Sequence, residues 1–223
     1  MSISAITAVG RIAAEHPRAT KVFDRFGIDY CCGGGRPLDE VCRQHGLEAA
    51  AVLQEIEEER ARGGAPGERW DQAPLADLVI HIIAAYHRPL EAELPRLEKM
   101  ARKVFEAHRE KQPEMLAELL AVYRGLKMEL EDHLAKEEQI LFPMIRKGEG
   151  MLADGPIAIM EQEHETAGAA LRRLRELTGG YQAPEEACDT WRALWHGLAC
   201  LEEALHQHIH LENNILFPRA LEE

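Results

Sequence analysis

HLAKEEQILFP, residues 133–143, recurs as HIHLENNILFP at residues 208–218. Superposed, His133 falls on His208, Glu137 on Glu212, and Leu141-Phe142-Pro143 on Leu216-Phe217-Pro218. Such a repeat means that two parts of the fold are built alike, so it is read before any local propensity. In each copy a His and a Glu stand at i and i+4, one turn apart on the same helix face. The closing Pro lacks an N–H and disfavours helix in the residue before it, so each copy reads as a helix end. An imidazole and a carboxylate one turn above an apolar plug is metal-ligand geometry.

Working outward, four segments carry long apolar stripes of helical period. The first begins near Pro74 and runs through Leu78, Ile82, Ile83, Leu90, Leu94, Leu97 and Val104, with Pro89 and Pro95 predicting a kink or break. The second spans Leu116 to about Phe142, the third Pro156 to about Thr178, and the fourth Pro184 to Phe217. No segment alternates with period two over a useful length. The expectation is all-α: a four-helix bundle of up-down connectivity.

Each stripe has a polar interruption: His87 in the first, His133 and Glu137 in the second, His164 in the third, His208 and Glu212 in the fourth. Two carboxylates in a bundle core cost several kcal/mol each unless something cationic compensates them. Protonated histidines could do so, and bound metal does it better. The offset from His87 to His164 is within two residues of the main repeat, so each half contributes two imidazoles and one carboxylate. That set suits two metals bridged by Glu137 and Glu212, with room left for a shared oxo group and a small ligand. Mixed imidazole and carboxylate ligands suit iron, with zinc or manganese as alternatives. Any one of these residues alone is better read as a core histidine or a solvated helix pair. Six of them, on four helices and related by a repeat, are not.

The remaining histidines fit less well. His81 lies off its stripe, and His206 and His210 flank the selected position without counterparts in the first copy. His108 follows a helix and could line an entrance, while His16, His45 and His196 read as surface or packing residues. Glu161-x-x-His164 and Glu203-x-x-His206 match the Glu-x-x-His of ferritin-like bundles. In a chain with 39 acidic residues such matches arise easily by chance, and the second breaks the repeat.

Residues 1–62 read as a small helical domain, with helices over Ala5–Ala14, Pro17–Phe26 (Gly27 as C-cap), Pro37 to about Gly46, and Glu48–Arg60. They bury few large side chains, which predicts marginal independent stability. Residues 63–73, almost all within the Gly- and Pro-bearing stretch RGGAPGERWDQ at 62–72, read as a linker before a bundle at 74–223, with Trp70 packing on one of the domains. Cys31 and Cys32 precede three glycines and Arg36, a flexible, mildly electropositive setting that favours thiolate and marks them as candidate redox or iron-transfer thiols. Cys42 could approach the pair, and Cys188 and Cys200 read as helix residues. A formal net charge of −13 argues against nucleic acid or an anionic membrane as partner. No apolar run approaches the about 18 residues of a spanning helix, and five cysteines, two adjacent, do not make a secreted disulfide framework. A cytoplasmic protein, monomer or homodimer, is expected.

With IDYCCGG, KEEQILFPMI and LENNILFPRAL in view, the chain resembles the repair of iron centres (RIC) family, hemerythrin-like di-iron proteins with a ScdA-type N-terminal domain. The resemblance covers nearly the whole chain. It implies a non-haem di-iron centre held by His87, His133, Glu137, His164, His208 and Glu212, with Glu137 and Glu212 bridging and Glu129 and Glu163 nearby. It also implies repair of iron–sulfur clusters damaged by nitric oxide or peroxide, through iron supply or nitric oxide reduction, with damaged iron–sulfur proteins as clients. An oxygen or nitric oxide sensor, and iron storage or ferroxidase action, are the alternatives.

Overall fold

The computed structural model describes residues 3–62 and 68–222; residues 63–67 of the expected linker lie outside them. Among the described residues there is no strand, only one antiparallel bridge between Ala8 and Pro37. Four short helices come first: α1 Val9–Glu15, α2 Ala19–Phe26, α3 Leu38–Gln44 and α4 Ala49–Ala61. Gly27 caps α2 in the left-handed region at φ 65°. These helices enclose a core of their own that includes Phe23, Tyr30, Leu38 and Ile56, more large side chains than the sequence suggests. Cys42 belongs to that core.

The bundle consists of four rods. The first is α5 Leu75–Ile82 continued by α6 Arg88–His108, the second α7 Pro113–Lys136 continued by α8 Phe142–Arg146, the third α9 Asp154–Leu177, and the fourth α10 Asp189–Leu211 continued by α11 Phe217–Ala220. Rods one, two, three and four pack in ring order, with α10 closing back on α6.

Three rods are interrupted by π-helical turns, at Ile83–His87, Glu137–Leu141 and Glu212–Leu216. The expected helix ends at Pro143 and Pro218 and the expected break at Pro95 are therefore corrected: α6 runs through Pro95, and each repeat continues beyond its Pro as a short helix. Arg88, Phe142 and Phe217, each directly before a proline, donate five residues back, to the carbonyls of Ile83, Glu137 and Glu212. Widening the turn by one residue accommodates a proline ring that would collide with the carbonyl four residues earlier. It also rotates the following helix by about 100° relative to the preceding one. A candidate ligand, His87, Glu137 or Glu212, stands at the edge of every π turn.

The N-terminal helices dock on the fourth rod. Gln207 Nε2 donates to the Tyr30 hydroxyl at 2.7 Å, and Asn214 Nδ2 donates to the carbonyls of Tyr30 and Cys31 at 3.2 and 3.0 Å. Gly10 and Gly34 lie flat against the Asn214 side chain, where a Cβ on either would overlap it. Trp70 packs on the bundle, stacked on His81 at 4.2 Å. A Cβ on Gly34 would also come within 2.8 Å of the Tyr30 carbonyl oxygen, which is backbone and cannot swing away. Gly34→Ala should weaken docking by about 1–3 kcal/mol. Limited proteolysis should then cut faster between the N-terminal helices and the bundle, and an unchanged cleavage rate would contradict this account.

Candidate metal centre

The six stripe residues converge in the bundle core between two apolar clusters. Leu90, Leu94, Leu126, Leu130 and Leu205 belong to the larger one, and Leu78, Ile82, Leu141, Phe142, Leu216 and Phe217 to the other. His87, Glu137 and Glu212 are completely buried, and His133, His164 and His208 nearly so.

They form two groups that share both carboxylates: His87, His208, Glu137 and Glu212, and His133, His164, Glu137 and Glu212. In the first, His87 Nε2 lies 3.2 Å from His208 Nε2 and 3.4 Å from Glu137 Oε2, and His208 Nε2 lies 3.0 Å from Glu212 Oε1. In the second, His133 Nε2 lies 3.1 Å from His164 Nε2 and 3.4 Å from Glu137 Oε1, and His164 Nε2 lies 3.2 Å from Glu212 Oε2. Each carboxylate turns one oxygen to each histidine pair.

Further residues aim the rings. Glu138 Oε1 accepts from His87 Nδ1 at 3.0 Å, Glu163 Oε2 from His133 Nδ1 at 2.9 Å, and Asn213 Oδ1 from His164 Nδ1 at 2.7 Å. Arg88 braces Glu138, and Lys136 braces Glu163. With the Nδ1 proton engaged outward, the Nε2 lone pair points inward. With both rings neutral, the Nε2 lone pairs of His133 and His164 face each other at 3.1 Å, an arrangement that repels unless a proton or a metal cation lies between. Among the described residues, both Glu137 oxygens and Glu212 Oε2 are buried without a hydrogen-bond partner. This donor set fits a metal. Bound there, a cation neutralises the carboxylates and accepts the imidazole lone pairs; iron adds redox and ligand-exchange chemistry.

The electrostatics carry the same strain. Burial pulls His133 down, but the Glu137 carboxylate overrides it and raises the imidazole to about 9. Burial opposes ionisation of Glu212, yet His208 and His164 hold it well below the carboxylate range. Burial, reinforced by His208, keeps His87 below its ordinary value.

A cavity of about 220 Å³ opens onto His133 and His164, with Glu129, Asp132, Glu163 and Thr166 around it. Glu129 thus sits in the approach, and Glu163 serves both the approach and His133. Cys31 and Cys32 stand apart from the ligands. Cys32 Sγ lies 3.7 Å from the His164 carbonyl oxygen, at the back of the helix that bears a ligand.

The expected thiolate-favouring loop is corrected for Cys31. Asp29 Oδ1 accepts from the backbone N–H groups of Cys31 and Cys32, both at 3.0 Å, and from the Cys31 thiol at 3.3 Å. Arg36 is engaged with Glu40 instead. The hydrogen bond to Cys32, burial and the Asp29 charge hold the Cys31 thiol well above its ordinary value.

His81 stacks on Trp70, His206 and His210 pack edge-on against Tyr30, and His108 contacts Cys188 and Trp191 rather than an entrance to the centre. Cys188 is the N-cap of α10, and Cys200 lies within it. The sequence reading missed Glu138, Asn213 and the π turns. Their signals were present: Glu138 and Asn213 each follow a repeat Glu directly, and every π turn precedes an X-Pro pair.

Fold and site together define a hemerythrin-type bundle with a buried non-haem metal pocket. The sequence profile of the hemerythrin HHE cation binding domain matches residues 78–220, and that of a domain of unknown function, DUF542, matches residues 6–60. The iron-sulfur cluster repair protein YtfE of Pectobacterium atrosepticum is 42% identical over 217 residues, 96% of each chain. Proteins of the same name from Citrobacter koseri and Yersinia pestis are 41% and 42% identical over 216 and 214 residues, again 96% of each chain. The chain belongs to the hemerythrin-like family of repair of iron centres proteins.

If Glu138, Glu163 and Asn213 aim the rings, removing any one should weaken metal binding by about 10- to 100-fold. Glu138→Ala, Glu163→Ala and Asn213→Ala compared by competition with a chelator test this, and undiminished affinity in all three would refute it.

Proposed function

We propose that the chain holds two iron ions bridged by Glu137 and Glu212, and that it serves the repair of iron–sulfur clusters damaged by nitric oxide or peroxide. The observation that carries the reading is the division of each carboxylate between two histidine pairs. A single metal would leave one pair and two oxygens uncompensated. His87 and His208 would hold one ion, His133 and His164 the other. The repair assignment is supported by likeness over nearly the full length to proteins named for iron–sulfur cluster repair.

The roles then follow from position. Glu138, Glu163 and Asn213 keep the ring protons of His87, His133 and His164 outward, so these three would meet iron unprotonated at Nε2. The apolar clusters on both sides exclude bulk water. The cavity beside His133 and His164 gives nitric oxide, oxygen or an iron-accepting group of a client its approach past Glu129 and Glu163. Cys31 and Cys32 act in transfer rather than in holding the resident iron, since neither belongs to the ligand groups. Free thiols suit the cytoplasm.

Metal analysis of the purified protein should find two irons per chain. His133→Ala and His208→Ala should each lose iron while His206→Ala keeps it, and full retention in both ligand variants would remove the assignment. Chelation should lower the melting temperature, because the carboxylates lose their cationic partners; an unchanged or higher melting point would count against a buried site. Transfer to an apo iron–sulfur protein tests the repair role. The Cys31→Ser/Cys32→Ser variant should keep its iron and transfer it more slowly; equal transfer rates would make the thiols dispensable.

A further inference from the structure

The two halves of the centre are related by the repeat, and the relation fails at one position. Glu138 and Asn213, equivalent in the repeat, accept from the equivalent rings His87 and His164. Phe142 and Phe217 stack on those same rings, at 5.5 and 6.0 Å. The residue preceding each of these histidines meets the ring of that histidine's partner in the same pair. In the second half it is Glu163, hydrogen-bonded to His133. In the first half it is Tyr86, whose ring lies 5.5 Å from that of His208 and within 9° of parallel. His208 Nδ1 is accordingly buried and unpartnered among the described residues.

Beyond Tyr86 the rings continue outward. His81 stands edge-on to Tyr86 at 5.9 Å, and Trp70 stacks on His81 at 4.2 Å and 24°. A cleft of about 130 Å³ touches Trp70, His81 and Tyr86 together, with Glu68 beside them. Phe142 and Phe217, by contrast, lead into the apolar core. The run from His208 to Trp70 thus joins a ligand ring to an opening on the seam between the N-terminal helices and the bundle.

We propose that Tyr86, His81 and Trp70 conduct electrons to the metal centre from a one-electron donor docked at the cleft beside Trp70. The proposal rests on the reading of the pocket as an iron centre. In each event one electron leaves the reduced donor and arrives on one ferric ion, which becomes ferrous while the donor is oxidised by one electron. No covalent bond forms or breaks, and the three rings keep their protons. Tunnelling falls steeply with distance, so successive ring contacts shorten every interval between donor and ligand. A bulky donor has no direct contact with ligands this deeply buried, whereas the cavity beside His133 serves small molecules.

The test uses iron-loaded, oxidised, full-length protein mixed without oxygen with reduced flavin mononucleotide, which gives up one electron to become its semiquinone. Loss of ferric absorption is followed by stopped flow. Trp70→Leu, His81→Leu and Tyr86→Leu should each slow flavin-driven reduction by an order of magnitude, and Tyr86→Phe, which keeps the ring, should restore it. Reduction by dithionite, iron content and midpoint potential should stay at parental values. Unchanged flavin rates in the three leucine variants overturn the relay. So do dithionite rates falling in parallel, or a shifted potential, which indicate a merely structural role. A parent chain that binds no iron overturns the centre itself, whereas iron present with unaltered flavin rates overturns only the relay.

Discussion

Two carboxylates, Glu137 and Glu212, are fully buried in the middle of a helical bundle, with three of their four oxygens lacking a hydrogen-bond partner. Bringing an ion out of water costs several kcal/mol after relaxation, and four imidazoles facing inward do not by themselves resolve it. Where both rings of a pair are neutral with their protons engaged outward, the facing lone pairs add a second repulsion. Cation binding relieves both at once. The rest of the bundle follows from maintaining this strain until metal arrives: apolar clusters close it from both sides, and outer carboxylates and an amide fix the ring protons. The π turns set the phase at which ligand and plug residues meet.

The repeat solves the positioning problem twice with one device. A His and a Glu one turn apart place both donors on the same face, and the widened turn that follows brings the Leu-Phe pair into the core. The Phe of each copy then stacks on a ligand from another rod. Symmetry is kept among the donor residues and given up around them. Glu163 holds His133 with a charge on the side where the cavity opens, and Tyr86 covers His208 with an uncharged ring on the side where the N-terminal helices dock. The two donor groups therefore have like residues and unlike surroundings.

Much of the centre was legible in the sequence because its residues violate a strong local rule. A His or Glu on an otherwise apolar stripe stands out, and the repeat removes the coincidence. The helix continuations were not legible, because Pro143 and Pro218 are ambiguous: a proline can end a helix, or a π turn before it can make room for the ring. The hydrogen bonds that Phe142 and Phe217 donate five residues back decide between these, and spacing does not report them. Glu138 and Asn213 were missed for a related reason, since they look like ordinary surface polar residues until the fold turns them toward the histidine rings. The cysteine loop misled in the opposite direction. Glycines and an arginine suggested freedom and positive charge, but long-range contacts set the outcome: Asn214 pins the loop, Asp29 surrounds the thiols with negative charge, and Arg36 is taken by Glu40.

That pinning also relates the two parts of the chain. The face of the fourth rod that carries His206, Gln207, His210 and Asn214 receives Tyr30 and the cysteine loop, so residues unmatched in the repeat mark a docking surface. Asn214 lies two residues from Glu212, and Asn213 between them holds His164. One widened turn thus bears a ligand, the amide that aims a second ligand, and the clamp on the thiol loop. Cys32 meets the back of the His164 helix from the other direction. Undocking the loop would release Asn214 and disturb the turn on which Glu212 and Asn213 depend. Docking of the N-terminal helices is therefore linked through this turn to Glu212 and His164, and through the seam at Tyr86 to His208.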